Sequence, residues 1–580
     1  MPVAVFESFN RASPGWAAYF DTPVSVYQAN RLEDVLPVLM RAEEASQNHQ
    51  WVVVMMSYEA APAFDPAMKV RYPRAFPLAW VAIFERVETQ LSDHGPLYEP
   101  NEEPEWKPLI TRENYRKGIA RIKDLITRGD TYQVNYTFPL QAEFRGDTWA
   151  WYRHLGRNQG AGYCAYLDLG PYQVLSFSPE LFFERKGDRL QTRPMKGTLP
   201  RGRWLEEDEF QIQQLRSSVK NRAENIMIVD LLRNDLGKIS ALGSVKVTEL
   251  CQVERYETLL QMTSTIKSTI PRNVTLLDLL KALFPCGSIT GAPKIRTMEI
   301  IQEIESNPRL VYTGTIGYIR PGGNCVFNVA IRTLWHERET GKTQMGVGGG
   351  ITIDSSADDE YAECLLKSQF LKRQSPDFEL LETLLLENGT YFLLHRHLLR
   401  MQRSAHYFGF SWNEMAVNER LDRIRTDHLQ GAWRIRLLAA RDGTVQTEVS
   451  SMGPQIHEAG RVAFAPQPVD SLCPFLFNKT TYRAVYDSQI ATRPDCDDLI
   501  FWNEQGEVTE SSVANIVLET GGIGWTPPRS SGLLAGTFRD ELLEQGRIRE
   551  RMINKEELRM AETFFFINSV RKWIPVQLVQ

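Results

Sequence analysis

The sequence predicts a protein of mixed α/β and α+β class, divided into two units near residue 375. Three observations predict it. Before that point, stretches with helical spacing of apolar residues alternate with β-rich stretches. A helical segment, Asp358–Arg373, then runs out on basic residues and a Ser-Pro; basic residues favour a helix C-terminus and proline discourages continuation. Beyond it an apolar pattern restarts at Phe378–Leu385, and Glu387-Asn388-Gly389 reads as a hairpin turn.

The elements follow in chain order. Ile119, Ile122, Leu125 and Ile126 give Asn114–Thr127 a helical period. Asp208–Leu236 predicts one long helix with Ile212, Leu215, Val219, Ile226 and Val229 on its stripe. Leu259–Thr269 and Asn324–Trp335 are rich in β-formers and predict extended chain. A length of 580 residues allows three or four ordinary domains, and 43% hydrophobic with 24% charged residues is a globular balance that excludes a largely disordered chain.

Composition also narrows function. Lys plus Arg is 66 against 72 for Asp plus Glu, a net charge of −6. Such a surface has no electrostatic footprint for nucleic acid or anionic lipid. The seven cysteines are scattered, with none two residues from another, so no zinc-type or redox pair is present. Their odd, sparse count fits a reducing compartment. No basic start precedes an apolar run, and no window of about 18 apolar residues occurs. A soluble, cytoplasmic protein that avoids nucleic acid and membranes is expected.

Several strings in the first unit stand out: SFSPELFFE with Glu180, RPMKGTLPRG with Lys196, NRAENIMIVDLLRNDLG (221–237), FPCGSITGAPKIRTMEII (284–301), VYTGTIGYI (311–319), FNVAIRTL (327–334) and GVGGGITIDSSADDEYAECLLK (346–367). Each alone has a plain reading. Lys196 suits an exposed turn, Gly348-Gly349-Gly350 a tight bend, and Glu363 with Lys367 a solvated i,i+4 pair. In this order and spacing, over residues 1–373, they resemble the chorismate-utilising enzymes, a family with a β-sandwich core flanked by helices. It includes anthranilate synthase component I, aminodeoxychorismate synthase component I and isochorismate synthase.

Lysine at position 196 resembles the aminodeoxychorismate synthases, where anthranilate synthases carry a small residue. The resemblance implies that Lys196 attacks C2 of chorismate while the C4 hydroxyl departs with a proton from Glu180. Ammonia then enters at C4 and displaces the lysine. It implies magnesium held by Glu224 and Glu363, with Glu360 as their partner one turn away. Arg332 and Tyr312 would reach the enolpyruvyl carboxylate, the backbone of Gly349 and Gly350 the ring carboxylate, and Thr290 and Gly291 would line the ring. Asn221 stands where many relatives have an acid. Gln261 replaces a histidine tied to the aromatising elimination of anthranilate synthases, and so fits a 4-amino product.

Residues 374–580 carry LLHRHLLRMQRSAHYFGF (393–410), FNKTTYRAVYD (477–487), NEQGEVTESSVANI (503–516), GLLAGTFRDELL (532–543) and ETFFFINSVRKWIPV (562–576). They resemble the two-lobed fold-type IV enzymes of pyridoxal 5'-phosphate (PLP), which include aminodeoxychorismate lyase and the branched-chain and D-amino-acid aminotransferases. Here the resemblance implies that Lys479 is the Schiff-base lysine and Glu510 the partner of the pyridine nitrogen. Arg400, the Gly536-Thr537-Phe538 backbone and Ser569 would hold the phosphate. Relatives often have a second threonine where Phe538 stands. Together the two resemblances imply 4-aminobenzoate formation from chorismate. No cysteine sits in a glycine-rich elbow with a His-x-Glu pair, so ammonia is expected from a glutamine amidotransferase partner. A homo-oligomer through the PLP-type unit is compatible with the family. The alternatives are anthranilate synthase component I fused to an aminotransferase, or the same synthase fused to a D-amino-acid or branched-chain aminotransferase.

Overall fold

The structure, a computed structural model, describes residues 3–10, 16–73, 75–90, 104–372, 376–453 and 459–579. The expected boundary near 375 falls on residues 373–375, outside the described residues. The chain forms two compact units, Met1–Arg201 with Gln211–Ser375, and Gly202–Phe210 with Pro376–Gln580.

The first unit has four layers. One sheet, of nine strands among the described residues, places Gln133–Glu143 beside Lys342–Ile351, then Thr333–Glu337, Tyr172–Ser178, Tyr163–Asp168 and Ala4–Glu7. The other, of ten, runs from Met195–Pro200 through Leu259–Thr269 and Leu181–Lys186 to Cys325–Val329 and Trp51–Met56. Phe6, Leu167 and Val174 of one sheet pack with Val53, Met55 and Phe84 of the other. Helices cover both outer faces. Arg112–Thr127 buries Tyr115, Ile119, Ile122 and Leu125 on the first sheet, and Val219–Gly237 buries Ile228, Val229 and Leu232 on the second. This is the β-sandwich flanked by helices that the sequence implied.

Several local expectations change. The long helix is two, Leu205–Ser217 and Val219–Gly237. The side chain of Ser218 caps the second by accepting the Asn221 N–H, which competes with continuous helix. The break rotates the stripe, so Ile212, Leu215 and Val229 are buried but Val219 is 83% and Ile226 38% exposed. The helix expected to reach Arg373 ends at Leu366, and Gln369–Leu371 forms a short 3-10 turn that buries Phe370 and Leu371. The extended segment Asn324–Trp335 is interrupted after Val329, and strand resumes at Thr333. Arg332 in that gap takes φ +49°. The triple glycine is strand, paired with Asn135–Thr137.

The second unit has two lobes. In one, strands Leu380–Glu387, Ala432–Ala439 and Val445–Ser451 pack on helices Leu394–Phe408 and Glu414–Asp427. Asn388 and Gly389, at φ +48° and +74°, make the expected hairpin turn. The other lobe is an eight-stranded mixed sheet among the described residues, with Val508–Ser511 and Asp498–Trp502 at one end of its order, Phe564–Asn568 and Asn515–Thr520 further in, and a further pairing between Val508–Ser511 and Asn515–Thr520. Gly202–Phe210 is integral to this unit. The ring of Trp204 lies 5.0 Å from that of Phe477, and Asn478 donates to the Arg203 carbonyl at 3.4 Å. Among the described residues no helix is long and apolar enough to cross a membrane.

Candidate active sites

In the first unit a cavity of about 110 Å³ is lined by Glu180, Lys196, Glu224, Tyr312, Arg332, Gly349, Gly350, Glu360 and Glu363. Nine residues singled out from the sequence thus share one wall. Thr290 and Gly291 do not line it. The Thr290 hydroxyl turns back onto the Cys286 and Gly287 carbonyls, and Gly291 pairs with Val134. Their neighbours Ser288 and Ile289 face the space instead.

Lys196 reaches the cavity because its strand is irregular. Between Met195 and Thr198 the register against Leu259–Thr269 shifts, and such a bulge re-aims a side chain. Gly197 takes φ +88°, and a Cβ there would lie 3.1 Å from Asn221. Gln261 ties the bulge down, donating to the Gly197 carbonyl at 2.9 Å. Burial pushes the Lys196 ammonium below the ordinary lysine value, although Glu224, Glu180 and Glu363 oppose it. A desolvated amine of that kind is nucleophilic. Burial also pushes Glu180 up to about 7, despite the Ser288 hydroxyl bonded to it at 2.6 Å. A carboxyl near 7 keeps a proton to give at neutral pH.

Arg332 is 5% exposed with its Nη1 unpaired, and burial lowers it to about 10. Its guanidinium lies 5.6 Å from the Tyr256 ring. A buried cation with a free donor is costly unless an anion completes it. Gly350 leaves room for two neighbours, because a Cβ there would lie 2.0 Å from Gln133 Nε2 and 3.1 Å from Lys196 Nζ. Glu224, Glu360 and Glu363 offer hard carboxylate oxygens, but among the described residues no three such groups converge tightly enough to hold a metal ion. Glu363 is bonded to Lys367 at 2.8 Å, and Glu360 accepts from Ser355 at 2.7 Å. Burial raises Glu224; for Glu363 burial is the largest influence, but Lys367, Lys196 and Lys220 together hold it below its ordinary value. The set fits magnesium, which takes one or two carboxylates and completes its shell with water and substrate oxygens.

The second unit holds a cavity of about 590 Å³ lined by Lys479, Arg400, Glu510, Gly536, Thr537 and Ser569. Burial, with Arg400 nearby, lowers Lys479 to about 8. Burial raises Glu510 to about 8, although Tyr486 donates to it at 2.8 Å. Asn515 donates to its other oxygen at 3.3 Å. Neither partner is a cation, so a protonated pyridine nitrogen fits this carboxylate. Gly536 is required sterically, since a Cβ would fall 2.1 Å from Asn515 Oδ1. It caps helix Thr537–Glu544, whose first backbone bond runs from Asp540 to Gly536. The Thr537 and Phe538 N–H groups precede that bond, in the position that binds anions. The Phe538 side chain does not line the cavity. It packs with Phe392 and Trp573, so only its backbone is placed for a phosphate. Three of the five N–H donors of Arg400 go to Glu382 and the Ala535 carbonyl, leaving two for a ligand.

Residues 3–373 match the chorismate binding enzyme family. The chain belongs to that family. Residues 379–579 match the amino-transferase class IV family, which implies PLP. Among curated relatives of this chorismate binding enzyme, aminodeoxychorismate synthase component 1 of Klebsiella aerogenes is 44% identical over 44% of this chain and 57% of its own length. Anthranilate synthase component 1 of Aquifex aeolicus is 36% identical over 46% of this chain and 54% of its own. The chain thus spans little more than half the length of these two curated relatives. The solved anthranilate synthase component I of Streptococcus pneumoniae aligns with a TM-score of 0.51 at 25% identity, covering 64% of this chain and 91% of that one.

The sequence reading missed Ser288, Glu382 and Tyr486, which bond to Glu180, Arg400 and Glu510; the Glu363–Lys367 pair it read as solvated instead lines the first cavity. Ser288 and Tyr486 lay inside quoted motifs, and their spacing carried no sign of the partner. Arg434, Arg436, Arg483 and Arg571 also line the second cavity, in which Glu510 is the only carboxylate among the described residues.

Proposed function

We propose that the chain catalyses two consecutive steps from chorismate to 4-aminobenzoate. The first unit aminates C4 to give 4-amino-4-deoxychorismate, and the second removes pyruvate from that product. The observation that carries the first assignment is the half-buried Lys196 amine sharing one cavity with Glu180, a carboxyl held near 7. A nucleophile beside a proton donor is what displacement of a hydroxyl requires.

In the first step the Lys196 amine forms a bond to C2, the ring double bonds shift, and the C4 hydroxyl leaves as water with the proton of Glu180. Ammonia then bonds to C4, the double bonds shift back, and the C2–nitrogen bond to Lys196 breaks. Arg332 pairs with a substrate carboxylate through its unpaired Nη1. Magnesium held by Glu224 and Glu363, with Glu360 supporting them, would neutralise another substrate carboxylate. Ammonia comes from a glutamine amidotransferase partner or from solution. Gln261 supports the 4-amino outcome by fastening the Gly197 bulge, with no imidazole there to start an elimination.

In the second step PLP, when bound, supplies the electron sink that stabilises a carbanion at C4. Lys479 anchors it, then removes the C4 proton and returns one to the departing enolpyruvyl group. Glu510 would pair with the pyridine nitrogen, and Arg400, Ser569 and the Gly536–Phe538 backbone would hold the phosphate. The substrate carries two carboxylates. A cavity with four further arginines and one carboxylate fits that dianion better than a leucine side chain.

Two results are expected here. Arg332→Met should raise the KM for chorismate by about 10²-fold, the scale of losing one charge-assisted bond to a carboxylate, as read in initial rates with ammonium. At a fixed concentration of unprotonated ammonia, synthase kcat should fall as pH rises through about 7, since Glu180 gives up its proton there. Glu180→Gln should flatten that limb. The lyase reading is tested by supplying D-alanine or leucine with 2-oxoglutarate to the PLP-loaded chain. Rapid transamination without 4-aminobenzoate from aminodeoxychorismate overturns it.

A further inference from the structure

Behind Arg400 in the second unit lies a buried polar chain that the two reactions do not use. Glu382, fully buried on strand Leu380–Glu387, accepts two bonds from Arg400, at 2.8 and 2.7 Å. The same carboxylate meets His397 Nδ1 at 2.6 Å. The other ring nitrogen, Nε2, lies 3.1 Å from the Thr537 hydroxyl. Arg400 Nη1 meanwhile donates to the Ala535 carbonyl at 2.9 Å. Glu382 therefore braces the phosphate turn on both sides of Gly536, through Arg400 and through His397.

The hydrogen count decides what this chain can do. Arg400 and His397, outweighing burial, hold Glu382 down at about 2, so it is a carboxylate and only accepts. The His397 proton must then sit on Nδ1. In neutral His397, Nε2 is a bare acceptor, and the Thr537 hydroxyl has to donate to it. That hydroxyl has one hydrogen, so it turns lone pairs towards the cavity. In protonated His397, Nε2–H donates to Thr537 Oγ1, and the hydroxyl hydrogen is released towards the cavity.

We propose that His397 is a proton-coupled positioning residue for a phosphate monoester. It takes up a proton as the phosphate binds, and so turns the Thr537 hydroxyl from donating inward to donating to the ligand. This rests on reading the second cavity as the PLP site.

The charged groups facing His397 are Glu382 on the strand, Arg400 on its own helix and Lys479 on the segment before helix Ala484–Ile490. On helix Thr537–Glu544, Asp540 acts on Arg400. With the cavity empty, burial holds His397 below its ordinary value, so it is neutral. A phosphate dianion beside Thr537 adds negative charge and raises it. The proton is thus held more tightly in the loaded form. The gain in affinity is complete below the free-form value and is lost as pH rises through the loaded-form value.

The full chain stripped of cofactor tests this with pyridoxamine 5'-phosphate, which forms no imine with Lys479. Its Kd is measured by quenching of protein fluorescence across roughly pH 5 to 9. The His397→Gln variant should bind about tenfold more weakly at the acid end, which corresponds to the loaded form holding its proton about tenfold more tightly than the free form. The two curves should converge at the alkaline end. Calorimetry in buffers of different ionisation enthalpy should show uptake of up to about one more proton by the wild type. Pyridoxamine, which lacks the phosphate, should show neither difference. Thr537→Ala, a cavity-wall change, should lose the same pH dependence and supplies the test if His397→Gln does not fold. Parallel Kd–pH curves for wild type and either variant overturn this inference alone. A wild type that binds no pyridoxamine 5'-phosphate at any pH overturns the cofactor reading and this inference with it.

Discussion

Lys196→Ala is expected to lower chorismate amination by about 10³-fold or more, the scale on which removal of a nucleophile acts. It should leave conversion of supplied aminodeoxychorismate at its wild-type rate. The expectation follows from where the amine sits. Burial disfavours its charged form, and the bulge at Gly197 turns it into the cavity wall. Glu180 stands in the same wall with a proton to give. Alanine keeps the strand and the cavity but leaves C2 without a partner. Chorismate should still bind, because Arg332, Tyr312 and the glycine strand are untouched. A synthase rate within a few-fold of wild type, read as amino product with ammonium, would exclude the covalent route.

Lys479→Ala should give the mirror image. Amination continues, 4-amino-4-deoxychorismate accumulates, and lyase turnover falls by about 10³-fold or more, because one side chain serves as anchor, base and acid. With Lys479 lowered to about 8, a sizeable share of the amine is neutral near physiological pH, as attack on an aldehyde and later proton removal both need. Borohydride reduction of the PLP-loaded wild type should fix a pyridoxyl group on Lys479 and none on the variant. Release of 4-aminobenzoate by the variant at the wild-type rate contradicts the assignment.

The Ser-Pro at 375–376 and the restarted apolar pattern are local signals, which is why a division there was expected. The helix expected over Asn114–Thr127, observed as Arg112–Thr127, and the strand Leu259–Thr269 were legible, because period and propensity agree there. The helix break at Ser218 was not. A serine inside an apolar stripe looks like an exposed helical position until its side chain caps the next turn. Nor was the membership of Gly202–Phe210 in the second unit, which depends on Trp204 meeting Phe477, a residue 273 positions away. In the sites, the motifs supplied the candidate residues but not their long-range partners: Ser288 and Tyr486 sit in other motifs than Glu180 and Glu510, to which they bond. Glu382 reaches Arg400 from a neighbouring strand, and nothing in ELLETLLLE marks its glutamate as buried. Thr290 and Gly291 show the opposite error. Their motif borders the cavity, but the chain turns so that Ser288 and Ile289 face it.

The most direct test of two consecutive steps on one chain is a single incubation of the full chain with chorismate, 15N-ammonium, magnesium and PLP, followed by NMR of the products. The account predicts 4-aminobenzoate carrying 15N on C4, with one pyruvate per aromatic product and transient 4-amino-4-deoxychorismate. 15N-anthranilate, or labelled aminodeoxychorismate that is never converted although PLP is bound, would contradict it.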